Sequence, residues 1–382
     1  MNGSGELKKG VWIWGYSDIG KIAYKAIICE GGWDIKGIID NHPGKQGVSV
    51  GKISVTSFDK ARNEICDKEL VICCCRQNNY NIFKKELRKI GHNKYIHFND
   101  LNMYPLLFQF LEEGYDDRMV SRCCAQEDFE NAEFKPLFNH LKWDSDLLPY
   151  DRKKWEFAFI IRTLEEHGML QEGKRGIGFA VGLEPLPSYF ADKKVQILAT
   201  DLSIEDAGAK KWAEDNQNSK GNLTALFNED FCSREDFDQY VSFRAVDMNQ
   251  IPKNIGRYDF CWSSCAIEHV GGIELSKQFL KNMINVLRPG GIAVHTTEFN
   301  LSSNEDTIEE GNSIIFRKKD IEEMKEWFIE HGCYMETSYK RSAKKGDLFV
   351  DIPPFRNQSY HLNLQLREYA VTSFAIIVRR DT

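Results

Sequence analysis

The stretch RGIGFAVGLEPLPSYFADKKVQILATDLS, residues 175–203, decides how the chain folds. Its first part, GIGFAV at 176–181, is an apolar run of the kind buried inside a parallel sheet. It opens into Gly182-Leu183-Glu184-Pro185-Leu186-Pro187, where the prolines end the strand and suit the start of a helix. VQILAT at 195–200 reads as the next strand, and Asp201 stands at its C-terminal end. A ligand crossing this β-α-β unit meets backbone at the glycines. It meets a carboxylate about 20 residues further on, where a ribose would lie. The arrangement suits a cofactor built on adenosine and by itself does not say which one.

Working outward, the 382 residues favour two domains over one. A hydrophobic content of 42% allows sizeable cores, and a net charge of -7 argues against a nucleic-acid partner. No apolar run approaches the roughly 20 residues of a membrane span, and MNGSGELKKG lacks the apolar centre of a signal peptide. Cysteines at 73–75 and 123–124 are contiguous and no C-x-x-C pair occurs, so reduced, buried thiols in a cytoplasmic protein are expected.

Before this stretch, strands at 11–15, 34–39, 70–75 and 95–98 alternate with helices at 21–29 and 81–90. They define a small Rossmann-like domain over 8–100. Its loop, Gly15 to Gly20, lacks the middle glycine of a dinucleotide fingerprint, which disfavours redox chemistry. Residues 101–144 read as a helical connector. An amphipathic helix at 151–170 then leads into a second domain, 145–382. After Asp201 a helix is expected at 205–216, strands at 241–246, 258–264 and 292–297, and helices at 275–287 and 319–331. Segments 334–339 and 369–380 read as strands that pair, with 346–366 an irregular insertion.

Taken together, Gly178 to Gly182, Asp201, Asp247-Met248, the run Ser263 to His269 and LRPGG at 287–291 resemble class I S-adenosylmethionine-dependent methyltransferases. The runs RKKWE, GFAVGLEPLP, DLS, SSCAIEH and HTTEFN look like the subgroup associated with surface-polysaccharide biosynthesis. The resemblance implies an α/β fold: two Rossmann-like domains, the second a methyltransferase sheet with an antiparallel last strand. The loop at Gly15 and Asp40-Asn41 is similar to the N-terminal domains of sugar acetyltransferases, which hold a nucleotide-sugar. A docking or purely structural domain is the competing reading.

What the resemblance implies is an enzyme that uses S-adenosyl-L-methionine to methylate a hydroxyl of a sugar or nucleotide-linked glycan precursor. Gly178 and Gly182 would let backbone approach the methionine part of the cofactor, and Glu184 would accept from its ammonium. Asp201 would accept from both ribose hydroxyls, with Asp247 at the adenine amino group. Met248 and Leu202 would lie on the ring, and Ser263 would close the far side. A glycine of this loop serving packing alone and Glu184 as a mere helix-start carboxylate are the plainer alternatives.

Methyl transfer to an alcohol gains from alignment and from a base. His269 or His295 is expected as that base, with Glu298 orienting it or binding a substrate hydroxyl; Glu268 is an alternative ligand or a helix-start carboxylate. A metal is not expected. His269, His295 and Glu298 would make a facial set, but magnesium prefers oxygen ligands. Tyr360, His361 and Arg356 are candidates for the acceptor pocket. The acceptor is expected to be a small molecule or glycan, with glycan-biosynthesis enzymes as possible partners of the N-terminal domain. An NAD-dependent oxidoreductase or epimerase, or a non-catalytic scaffold, are the competing functions.

Overall fold

A computed structural model describes residues 8–101, 103–141, 149–203, 223–355 and 360–381. The expected helix at 205–216 and Arg356 lie outside them. The chain divides into two compact units. One is Met1–Glu112 with Ala343–Val371, and the other is Glu113–Ser342 with Thr372–Thr382.

In the first unit, β1 (Lys9–Trp14), β2 (Trp33–Ile39), β3 (Ser49–Val50), β4 (Ile53–Thr56), β5 (Leu70–Cys73) and β6 (Tyr95–His97) form one sheet in the order β3-β4-β2-β1-β5-β6. All neighbours are parallel except the β3–β4 hairpin. Helix α1 (Asp18–Glu30) buries Ile19, Ile22, Ala23, Ala26 and Ile27 at helical spacing and ends on Gly31 in the left-handed region. Helix α2 (Gln77–Lys89) follows β5. Trp14 stacks between Phe58 and Phe83, ring centroids 4.2 and 4.4 Å away, and anchors this core.

The late insertion belongs to this unit and not to the methyltransferase-like half, where 145–382 had placed it. Lys25 lies over the ring of Tyr369 at 4.5 Å, and Lys21 reaches Glu368 at 4.0 Å. The segment is also more regular than its prolines imply. Val350–Asp351 pairs in parallel with Asn363–Leu366. Asn363 donates to the carbonyls of Asp347 and Phe349 at 2.8 and 2.9 Å. His361 is held by Asp351 at 2.7 Å. Contacts between residues so far apart in the chain leave no local signal in composition.

The second unit holds α3 (Arg152–Glu166), β7 (Arg175–Gly178), α4 (Leu186–Asp192), β8 (Gln196–Asp201), α5 (Arg234–Tyr240), β9 (Val241–Ala245), β10 (Tyr258–Ser264), α6 (Ile273–Met283), β11 (Leu287–Asn300) and α7 (Lys318–Glu330). Strand β12 (Tyr369–Arg380) enters this unit at Thr372. The order β9-β8-β7-β10-β11-β12 reverses direction between β7 and β10. In β9 to β11 all neighbours are parallel. Cys333–Tyr334 and Arg122–Cys123 both run antiparallel to β12. Part of the expected connector is therefore sheet and core of this unit. Arg122, 1% exposed, meets both oxygens of Asp128 at 2.7 Å, and Trp155 of α3 donates to the same carboxylate at 2.7 Å.

The glycines of β7 have a packing cause. A Cβ on Gly176 would lie 2.3 Å from the ring of Phe260, and one on Gly178 would lie 2.4 Å from Trp262. The neighbouring strand β10 lays two large aromatic rings across β7, and only glycine leaves room.

Candidate active site

The strand order reverses between β7 and β10, and the carboxyl ends of the strands at such a reversal are where open α/β sheets take ligands. The two loops that leave these ends are strained. Ala180 after β7 has φ 50°, Gly182 has φ 53°, and Cys265 after β10 has φ 46°. Non-glycine residues in that region cost about 1–3 kcal/mol each and gather at functional sites.

Backbone bonds bring most of the expected cofactor residues together. Val181 N–H donates to the carbonyl of Thr200 at 3.0 Å, and the Thr200 hydroxyl donates to Gly178 at 2.7 Å, so the loop of Gly178 to Glu184 lies along the end of β8. Asp201 is 6% exposed, and its Oδ1 accepts from Leu202 N–H at 2.8 Å. Its carbonyl accepts from Val246 N–H at 2.9 Å, which sets Asp247 and Met248 beside it. Asp247 accepts from Asn249 N–H at 2.8 Å and caps the short turn Met248–Gln250.

Glu184 is 6% exposed, and Trp262 Nε1 donates to its Oε1 at 2.5 Å. Burial pushes its carboxyl up to about 8, against the opposing pull of that hydrogen bond. The ammonium of a bound methyl donor would favour the ionised form of this buried carboxyl. The donor set, with Asp201 closing β8, fits S-adenosylmethionine.

Two expected residues are elsewhere. Ser263 and His295 face each other across β10 and β11, with Ser263 Oγ 2.7 Å from His295 Nδ1, and both are fully buried. His295 Nε2 lies 3.9 Å from Cys261 Sγ, and Phe279 of α6 packs edge-on against its ring at 5.6 Å. Burial lowers the imidazole to about 3. His295 is thus a core side chain in this structure, with Ser263 as its hydrogen-bond partner. Gly178 serves packing against Trp262.

His269 and Glu298 lie at the ends of β10 and β11 together with Glu268, the alternative ligand of the sequence reading, and with Arg152 and Glu156 of α3. Glu268, fully buried, accepts from Thr297 Oγ1 at 3.2 Å and has Oε1 4.0 Å from His269 Nε2. His269 Nδ1 lies 2.5 Å from the carbonyl of Asn312 and donates to it, which leaves the ring's acceptor lone pair at Nε2. Glu298 Oε1 meets Arg152 at 2.5 Å. Burial raises Glu268, helped by the neighbouring Glu298 charge and opposed by His269. Below them Glu156 accepts from Lys153, Ser264, Cys265 and Ser373 at 2.6, 3.0, 3.0 and 2.6 Å. Burial would push Glu156 up, but the Lys153 and Arg152 cations and the Cys265 thiol hold it at about 2. In the sequence it closes the run RKKWE and is a charged residue between Trp155 and Phe157 on the apolar face of α3.

The first unit has a crevice of about 550 Å³ at the carboxyl ends of β1, β2 and β5. Gly15, Asp40, Lys45, Cys74 and Arg76 line it, with Pro353 and Gln365 from the insertion. Gly15 takes φ 107°, and a Cβ there would lie 2.3 Å from the Cys74 carbonyl. Asp40 accepts from Tyr16 N–H, His42 N–H and Lys45 at 2.8, 2.9 and 3.2 Å and so fixes both loops.

Residues 176–295 match the family model described as a methyltransferase domain. No curated protein matches the chain. Among solved structures, magnesium protoporphyrin IX methyltransferase of Synechocystis PCC 6803 with bound SAH is similar at 11% identity, over 66% of this chain and 97% of that one, TM-score 0.36. A DhpI–SAH complex is similar at 11% identity over 68% and 99%, TM-score 0.35. RSP in complex with β-NADH is similar at 19% identity over 24% of this chain and 45% of that one, TM-score 0.22. The family match carries the assignment. Residues 176–295 are an S-adenosylmethionine-dependent methyltransferase domain.

Proposed function

We propose that the enzyme transfers the methyl group to a hydroxyl of a sugar or nucleotide-linked glycan precursor. The observation that carries this reading is the polar end of β10 and β11, where Glu268, Glu298 and His269 stand together. Carboxylates only accept, and sugar hydroxyls are donors that they orient well. His269 Nε2, 4.0 Å from Glu268, is placed to take the hydroxyl proton as the carbon–oxygen bond forms. Glu298, held by Arg152, binds and orients the acceptor. The bound cofactor supplies the methyl group. Glu184 and Asp201 fix its two ends, so that alignment contributes much of the rate. The crevice of the first unit supports the nucleotide-linked half of the reading, because the Gly15 turn before α1, with its positive φ and no side chain, suits the approach of a phosphate.

The test is a mass-spectrometric screen of nucleotide-sugars and oligosaccharides incubated with enzyme and donor. A gain of one methyl on a sugar hydroxyl, lost in His269→Ala, supports the proposal. Methylation restricted to amines or carboxylates would replace it. An oxidoreductase or epimerase would instead show a nicotinamide fluorescence change on titration, without methylation.

A further inference from the structure

Three side chains at the ends of β10 and β11 have no complete account in methyl transfer. Cys265 is the first residue after β10, Glu268 lies in the turn Ile267–His269, and Glu298 is near the end of β11. One ligand atom from each, the thiol sulfur and two carboxylate oxygens, lies within 4.8 Å of the others. The two carboxylates are 0% and 5% exposed. Each has an oxygen buried with no hydrogen-bond partner, Oε1 of Glu268 and Oε2 of Glu298. Unpaired buried acceptors are costly, and two like charges this close are more so. The opposite oxygens are held in place, by Thr297 on Glu268 and by Arg152 on Glu298. Partners behind the ligand atoms are the usual support of a metal site.

The chemistry of the three donors narrows the cation. A thiol is a poor acceptor for an ammonium, so a protonated amine would use two of the three groups. Magnesium and calcium take oxygen ligands and leave sulfur aside. Zinc accepts thiolate and carboxylate together, and its catalytic sites use three protein ligands with a fourth position open.

We propose that Cys265, Glu268 and Glu298 bind a divalent ion of the zinc class. On binding, the Cys265 thiol loses its proton to solvent, giving up its hydrogen bond to Glu156, and the thiolate and two carboxylates coordinate the ion; Glu156 keeps Lys153, Ser264 and Ser373 as donors. One net negative charge remains, and the Arg152 guanidinium stands against Glu298 to balance it. The ligand set is independent of the acceptor. The role of the open position, which would take the acceptor oxygen and acidify its proton, rests on the hydroxyl reading above.

The test uses the full-length protein stripped with a chelator and titrated with cobalt(II). Stoichiometric binding is expected, with visible d–d bands of a four- or five-coordinate ion and a near-ultraviolet thiolate charge-transfer band. Cys265→Ser should abolish the charge-transfer band, and Glu298→Gln, which keeps the thiol, should weaken cobalt binding at least about tenfold. S-adenosylmethionine binding is measured on the same metal-free protein. Intact donor binding with no cobalt spectrum overturns the metal site and leaves the proposed function standing. A thiolate band that survives Cys265→Ser overturns it as well.

Discussion

His269 follows β10 and His295 lies within the neighbouring β11, and the same side chain meets different surroundings at the two positions. His295 is sealed between Ser263, Cys261 and Phe279. Its replacement by alanine should cost about 2–4 kcal/mol of stability, from lost packing and one lost hydrogen bond. Urea unfolding measures this, and kcat of the folded enzyme should stay within a few-fold. His269→Ala should do the reverse, lowering kcat by about 10²–10³ and leaving stability within about 0.5 kcal/mol. Glu184 makes a pH prediction. Burial raises its folded value to about 8, above the unfolded value of an ordinary glutamate, so the folded state holds a proton that the unfolded chain releases. Stability should therefore fall as pH rises from about 4.5 to 8. In Glu184→Gln this part of the fall disappears, which thermal melts across that range would show. Donor binding should release a proton in the same window, because the ammonium favours the ionised carboxylate.

At the level of elements, β7 and β10 form the frame of the site, and their fit depends on glycine facing aromatic rings. Gly178→Ala puts a methyl group 2.4 Å from Trp262 and should destabilise the domain by about 1–3 kcal/mol, read from the midpoint of denaturant unfolding. Asp128→Ala removes the common partner of Arg122 and Trp155 and leaves a buried guanidinium unpaired. A loss of about 3–5 kcal/mol is expected. Strand β10 was legible in the sequence to the residue, and β8 to within one residue, because each centres on a short apolar stretch, Phe260-Cys261-Trp262 and Ile197-Leu198-Ala199, set between polar residues. Asp201 was legible because it ends such a run. The orientation of side chains within a run was not. Ser263 and His295 looked like site residues from their place near strand ends, but their register turns them towards each other and into the core. The role of Glu156 stayed hidden because a charged residue within an amphipathic helix ordinarily faces solvent, and this one is buried under four donors.

For the whole molecule, the first unit is built from two stretches far apart in the chain, and only one was visible beforehand. Removing residues 1–112 alone should leave 343–371 without its packing partners. Such a protein should aggregate or be cut by protease within 343–371, and replacing that segment with a short Gly-Ser bridge should relieve both. Equal behaviour of the two truncations would contradict the two-stretch unit. The claim on which the enzymatic reading depends is that the methyl donor lies at the carboxyl ends of β7 and β10 with its ribose on Asp201. Titration calorimetry with S-adenosylmethionine on wild type and Asp201→Ala addresses it. Saturable binding is expected in wild type, with Kd raised at least about tenfold in the variant as charge-assisted hydrogen bonds are lost. Equal affinity in the two proteins, with both folded, would mean that the donor is held elsewhere.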